Sequence, residues 1–189
     1  MKQRCLWAHN ASSLIQTYHD TLWGVPVYDD VTLFKYLVME SAHAGLSWEM
    51  IYRREAAYDT AYQGVNPYIV ATFDDTMVDA MMQTGIIKHR GKIEASIVQA
   101  QVVIAIIAEF SSFSHYLWHF VQFEPLITRR APDLWNATSI VSDRISRDLQ
   151  QRGMKYVGSR IIQAYLQAIG IINDHDHDCY LCYKTQHHK

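Results

Sequence analysis

"SDRISRDLQQRGMKYVGSRIIQAYLQAIG", residues 142–170, holds two helical patterns back to back. The first, "SDRISRDLQQRG", opens on Ser142 or Asp143, either of which can cap a helix, carries paired charges and stops at Gly153. The second, "GSRIIQAYLQAIG", runs from Gly158 to Gly170. The turn between them, "RGMKYVG" (152–158), has a Gly-x4-Gly pattern. Such a turn serves as a plain helix–helix connection. It also lets backbone N–H groups approach a phosphate ahead of a helix N-terminus. The spacing alone leaves both readings open.

The same helical signal extends outward. "VTLFKYLVMESAHAGL" (31–46) carries Leu33, Leu37, Val38 and Ala42 at helical spacing, with Gly45 as a stop. "DDTMVDAMMQTG" (74–85) starts on Asp caps and ends at Gly85, residues 92–109 are apolar nearly all round, and "HYLWHFV" (115–121) is a further apolar segment. These patterns predict an all-α bundle of seven or more helices. A chain of 189 residues that is 49% hydrophobic can bury a core as one domain, 1–189, or as two closely packed lobes. The net charge of −2 gives no global nucleic-acid signal, so any such surface must be local. "MKQRCLWAHN" lacks the apolar core of a signal peptide, and three cysteines form no disulfide framework. The most apolar run, "IVQAQVVIAIIAEF", is broken by Gln99, Gln101 and Glu109 and is too short to span a bilayer. The expected setting is therefore cytoplasmic, with no membrane and no protein partner.

Two of the three cysteines lie in "NDHDHDCYLC" (173–182), and the third is Cys5. His175 and Cys179 are four residues apart, so on a helical face they can bite one ion. With Cys5 and His19 they make a Cys2His2 set that suits tetrahedral zinc, with His177 and Cys182 as rival ligands. Four protein ligands would make the ion structural. Holding the ends together costs roughly 4–5 kcal/mol of loop entropy, against about 10–16 kcal/mol for structural zinc. The alternative is a solvated histidine-rich tail beside a buried Cys5. A metal phosphohydrolase, suggested by the His-Asp pairs, needs an open coordination position that two cysteines in a closed site deny it.

Aromatic residues concentrate in "CLW" (5–7), "TYHDTLWGVP" (17–26) and "ESAHAGLSW" (40–48). Trp7, Tyr18, Trp23 and Trp48 can wall a slot for a flat ring. Glu40 interrupts an apolar helix face, where a lone carboxylate is costly unless paired or functional. The plainer reading is an aromatic core beside a surface glutamate.

"YHD..WGVP", "VMESAHAGLSW", "GIIKHRGKI" and "RGMKYVGSRI...GIINDH...C" resemble, in order and spacing, the 3-methyladenine DNA glycosylase I family, from Cys5 to Cys179. The resemblance implies a helix-hairpin-helix DNA glycosylase fold whose zinc, held by Cys5, His19, His175 and Cys179, joins the termini. It implies hydrolysis of the N-glycosidic bond of 3-methyladenine in double-stranded alkylated DNA after base flipping, without a lyase step. It places base recognition on Glu40, Tyr18 and Trp48, with Trp7 and Trp23 around them and Glu40 as the catalytic carboxylate. Gly153, Lys155 and Gly158 become DNA contacts. By their charge Lys155, Lys88, Arg90 and Lys92 can add local positive potential or form an ordinary solvated face. Related helix-hairpin-helix glycosylases carry an aspartate about twenty residues after the hairpin. Asn173 and Asp174 fall there, and neither is assigned as a base, since Asp174 adjoins a ligand and serves to orient it. Four positions depart from the family pattern: His43 for Gln, Ile15 for an aromatic, Leu22 for Glu, and Arg160 for a small residue. The competing expectation is a zinc-stabilised module that binds damaged DNA without excising the base.

Overall fold

Asp29 accepts a hydrogen bond from the N–H of Thr32 and starts helix α3 (Asp30–His43), within the helical segment expected over residues 31–46. Nine of its fourteen residues are buried, Glu40 among them. The computed structural model describes residues 3–128, 131, 132, 134 and 136–182, and is 57% helix. Ahead of α3 lie α1 (Leu6–His9) and α2 (Ser13–Thr21), the latter capped by Ser12. After it come α4 (Trp48–Tyr52), α5 (Glu55–Ala61), α6 (Pro67–Val70) and α7 (Asp75–Met81), the last capped by Asp74 as its sequence implied. Then follow α8 (Arg90–Phe110), α9 (Phe113–His119), α10 (Ile140–Gln151) and α11 (Ser159–Ala168).

The helix pair expected over residues 142–170 is present, with one shift. Helix α10 begins at Ser139, whose side chain accepts from the N–H of Ser142 while the Ser142 hydroxyl accepts from the N–H of Ser139. Ser142 is thus the reciprocal partner of the cap, three residues into the helix, and not the cap itself. Helix α11 packs on α10 and across α3, and the Tyr165 hydroxyl donates to the Leu33 carbonyl at 3.0 Å. A two-residue parallel ladder, β1 (Leu126–Ile127) with β2 (Ile172–Asn173), ties the chain after α9 to the segment after α11. Its residues are too few to leave a period-2 pattern.

Helix α8 is 21 residues long, reaching two residues before and one beyond the apolar stretch 92–109, and by length and composition it could cross a membrane. Its neighbours decide otherwise: α3, α6, α7 and α9 pack around it. Ser96 and Gln99 on its buried side bond to Tyr62, Ser41 and the Lys155 carbonyl. It is a core helix here.

The return from α11 depends on Gly170. With φ at +71° it turns the chain so close to the strap before α3 that a Cβ would sit 2.3 Å from the Val25 carbonyl carbon. On either side of that approach, the N–H groups of Gly24 and Val27 donate to Gln167 and Ile169, both at 3.0 Å. Gly170→Ala is therefore expected to lower unfolding free energy by more than about 3 kcal/mol, combining backbone strain with a main-chain clash. Denaturant unfolding measures it, and a loss under about 1 kcal/mol would show that the approach relaxes freely.

Candidate active site and metal centre

Helix α3 carries Glu40 near its C-terminal end, 3% exposed, where α2 and α4 bring aromatic rings against it. Glu40 and His43, Tyr18 of α2 and Trp48 of α4 line a cavity of about 150 Å³, with Trp7, Trp23, Ala164 and Gln167 completing the wall. All five sequence-predicted pocket residues thus meet at one place. Tyr18 lies 5.5 Å from Trp48 and 4.8 Å from Tyr52, ring to ring, and Tyr52 stacks on Trp48 at 18°. On the other side Trp7 meets Trp23 edge-on at 5.0 Å. The indole N–H groups of Trp7 and Trp48 are buried without a hydrogen-bond partner among the described residues.

Charge in this cavity is concentrated on one group. His43 Nδ1 lies 3.0 Å from Glu40 Oε2. Burial pushes the Glu40 carboxyl above the usual carboxylate range, and its hydrogen bond and Coulomb attraction to His43 pull it back down. The Tyr18 phenol is driven far above its ordinary range by burial first and by the Glu40 charge second, so it remains a neutral hydroxyl. An aromatic slot with one carboxylate at its floor favours a flat, positively charged ring over a neutral one.

The metal-ligand candidates meet directly behind this wall. Cys5, His19, His175 and Cys179 are all buried, with their four donor atoms within 4.8 Å of one another. Cys5 Sγ lies 3.3 Å from His175 Nδ1, and Cys179 Sγ lies 3.5 Å from His175 Nδ1 and 3.6 Å from His19 Nε2. A tetrahedral ion at roughly 2.0–2.3 Å from nitrogen and sulfur separates its donors by roughly 3.3–3.8 Å. The residues therefore fit a metal ion. Hydrogen bonding with Cys5, then His175 and His19, holds the Cys179 thiol well below the usual thiol range. The same partner and burial hold Cys5 far above the usual thiol range, since two thiolates so close repel. A dication between them removes that opposition.

The i, i+4 pair does not sit on a helix. Residues 174–176 are non-helical and 177–180 form a turn, in which the N–H of Cys179 donates to the Asp176 carbonyl at 2.8 Å. A tight turn gives the same reach as a helical face. His177 is exposed and outside the cluster, while Cys182 is buried but not among the four. Asp20 supports His19 Nδ1 at 2.9 Å and is itself lowered to about 2, chiefly by Arg4. The N–H of Asp176 donates to Cys5 Sγ at 3.3 Å. Asp174, expected to orient its neighbouring ligand, accepts from the Thr128 hydroxyl and, at 2.7 Å, from Gln167 Nε2.

The cluster and the cavity share parts. Trp23 packs edge-on against His175 at 4.7 Å, and Trp7 against His19 at 5.2 Å. Gly24, at φ +76°, makes this possible, because a Cβ there would lie 3.0 Å from His175 Nε2. Gln167, joined to Asp174, and Ala164 were not singled out from the sequence. The available signal was a buried polar residue on the apolar face of α11.

Between α10 and α11, Gly153 has φ +99° and Lys155 is exposed, while Gly158 stands at the N-cap of α11 with no side-chain cap. Ser146 and Gln99 hold this turn from its inner side, donating to the Val157 and Lys155 carbonyls. Of the flanking cations, Lys88 is exposed, but Arg90 pairs with Asp79 and Glu94. The Lys92 ammonium caps the carbonyls of Ala42 and Ala44 at the end of α3. Among the departures, Ile15 is buried on α2 but outside the cavity lining, Leu22 is 38% exposed, and Arg160 is exposed on the first turn of α11.

A profile of the family described as methyladenine glycosylase matches residues 7–183. DNA-3-methyladenine glycosylase 1 of Escherichia coli (strain K12) is 35% identical over 184 residues, 96% of this chain and 97% of that one. Among solved structures, 3-methyladenine DNA glycosylase I from Staphylococcus aureus superposes with a TM-score of 0.91 at 33% identity, covering 96% and 97% of the two chains. A 3-methyladenine DNA glycosylase I variant in complex with 3-methyladenine gives 0.89 at 34% identity, covering 96% and 98%.

Proposed function

Because the chain belongs to the methyladenine glycosylase family, we propose that it is a DNA-3-methyladenine glycosylase of base-excision repair whose base site is the Glu40 cavity. The observation that carries this assignment is a carboxylate 3% exposed at the floor of an aromatic slot. N3-alkylated adenine in DNA is cationic, and a buried anion walled by π faces favours it over neutral purines. Glu40 accepts from the exocyclic amino group, the Tyr18 hydroxyl meets the ring edge, and Trp48 stacks on the extruded base. Trp7 and Trp23 close the far wall.

The base reaches the slot only after leaving the duplex, at a cost of a few kcal/mol that a damaged, weakly stacked base lowers. Its bond to the sugar then breaks with the electron pair going to the base nitrogen, so the base departs neutral. Water adds to the anomeric carbon and loses a proton. The Glu40 charge holds the cationic base in place and steadies the positive charge that passes to the sugar. Among the described residues no lysine lines the cavity, which supports hydrolysis without a covalent imine or strand cleavage.

For DNA contact we assign the α10–turn–α11 unit as a helix-hairpin-helix. Gly153 and Gly158 let main-chain N–H groups reach a phosphate, and Lys155 adds charge. Double-stranded alkylated DNA is the partner this geometry suits. Arg90 and Lys92, engaged within the protein, are left out of that surface. The Cys2His2 donor set suits zinc, which when bound closes the N- and C-terminal segments into one domain. Cysteines that form no disulfide among the described residues fit a reducing, cytoplasmic setting.

Chromatography of bases released from methylated duplex DNA tests the assignment. Free 3-methyladenine is expected with the wild-type chain and no strand cleavage. Binding of the damaged duplex with no base released would make the chain a damage-binding module.

A further inference from the structure

Glu40 does not face the cavity alone. His43, one turn further along α3, lines the same cavity and approaches Glu40 Oε2 at 3.0 Å, its side chain a quarter exposed against 4% for that of Glu40. Its ring also meets Trp48 edge-on at 5.8 Å. The imidazole therefore sits between solvent and the only carboxylate that lines the cavity among the described residues, within reach of whatever the lining holds.

We propose that His43 is a specificity-determining residue, because a cationic base and a proton on His43 compete for the single negative charge of Glu40. This rests on the reading of the cavity as the base site. With His43 neutral, the pair carries one negative charge and attracts a cation. With His43 protonated, the pair is neutral, the attraction to a cation is largely cancelled, and a neutral purine is hardly affected. Discrimination thus rises with pH as His43 gives up its proton. By linkage, a bound cation lowers the proton affinity of His43 by the same factor.

The other groups packed around the pair do not supply such a switch. From α8, the Lys92 ammonium donates to Ala42 and Ala44, the residues on either side of His43, at 2.8 and 2.6 Å, and adds a fixed positive charge. Tyr18 of α2 and Tyr52 of α4 are both raised by burial and remain neutral. Helix α11 contributes only Ala164 and Gln167 among the described residues, and α9 meets the opposite end of α3, at Asp30.

The probe is 3,9-dimethyladeninium, a permanent cation with a methyl in place of the sugar, so its own charge does not titrate. Its affinity for the wild-type protein is expected to fall roughly tenfold between about pH 8 and about pH 5.5. The inflection should coincide with the His43 ring titration seen by NMR. Saturating probe should move that NMR midpoint down by about one pH unit, which a purely structural histidine would not show. In His43→Gln the inflection should vanish. Unchanged NMR midpoints with and without probe, or identical profiles for both proteins, would overturn the coupling while leaving the base site intact. No binding by either protein at any pH would sink the base site and the coupling together.

Discussion

Glu40→Gln is expected to reduce the rate of 3-methyladenine release by at least about a hundredfold, roughly 2.7 kcal/mol. The substitution keeps shape and hydrogen-bonding capacity but removes the charge. Glu40 is already raised by burial, so the neutral side chain relieves a desolvation cost and the fold should be at least as stable. Activity and stability should therefore move apart. His43 keeps an acceptor, because the side-chain carbonyl of the substituted amide can occupy the place of the Glu40 oxygen now 3.0 Å away. Single-turnover release from methylated duplex, read beside thermal unfolding, measures both. Undiminished release would remove Glu40 from the chemistry.

Removing the zinc proposed for the Cys2His2 cluster, by chelation or by Cys179→Ser, is expected to be the larger structural effect. Structural zinc contributes on the order of 10–16 kcal/mol, comparable to the whole stability of a domain. Even a third of that, roughly 3–5 kcal/mol, would lower Tm by about 7–20 °C in a chain of this size. The loss should also reach the cavity, since Trp23 and Trp7 rest on the rings of His175 and His19. Zinc content, Tm and base affinity are thus expected to fall together in Cys179→Ser. Full retention of metal and Tm would take Cys179 out of the cluster.

The sequence showed the helices most clearly where one face is apolar and the ends are marked. Helices α3, α7 and α11 lie close to where caps, periodicity and glycines placed them. It was less informative where two residues compete for one local role. Ser139 and Ser142 both carry a hydroxyl, and only their reciprocal bonding shows which is the cap. The His175–Cys179 spacing was readable as a shared reach, but a turn satisfies the same distance as a helix, and here it does. Glu40 stood out because a carboxylate on an apolar face needs an explanation. Gln167 did not, because one amide on a helix face is ordinary, and its importance comes from Asp174, brought beside it by the β1–β2 ladder and the turn at Gly170. Surface charge was least legible of all. Arg90 and Lys92 read as free cations in "GIIKHRGKI", yet one is held by two carboxylates and the other by two carbonyls from the end of α3. The Lys92 partners lie 50 and 48 residues earlier in the chain, whereas Glu94 is one helical turn from Arg90.

On this account the cavity chooses its base by charge and not by shape. The most direct test compares the dissociation constants of 3,9-dimethyladeninium and its neutral isostere, in which carbon replaces the methyl-bearing ring nitrogen, at about pH 8. The cation should bind the wild-type protein at least about tenfold more tightly, and that preference should disappear in Glu40→Gln. Equal affinities for the two ligands in the wild-type protein would contradict it.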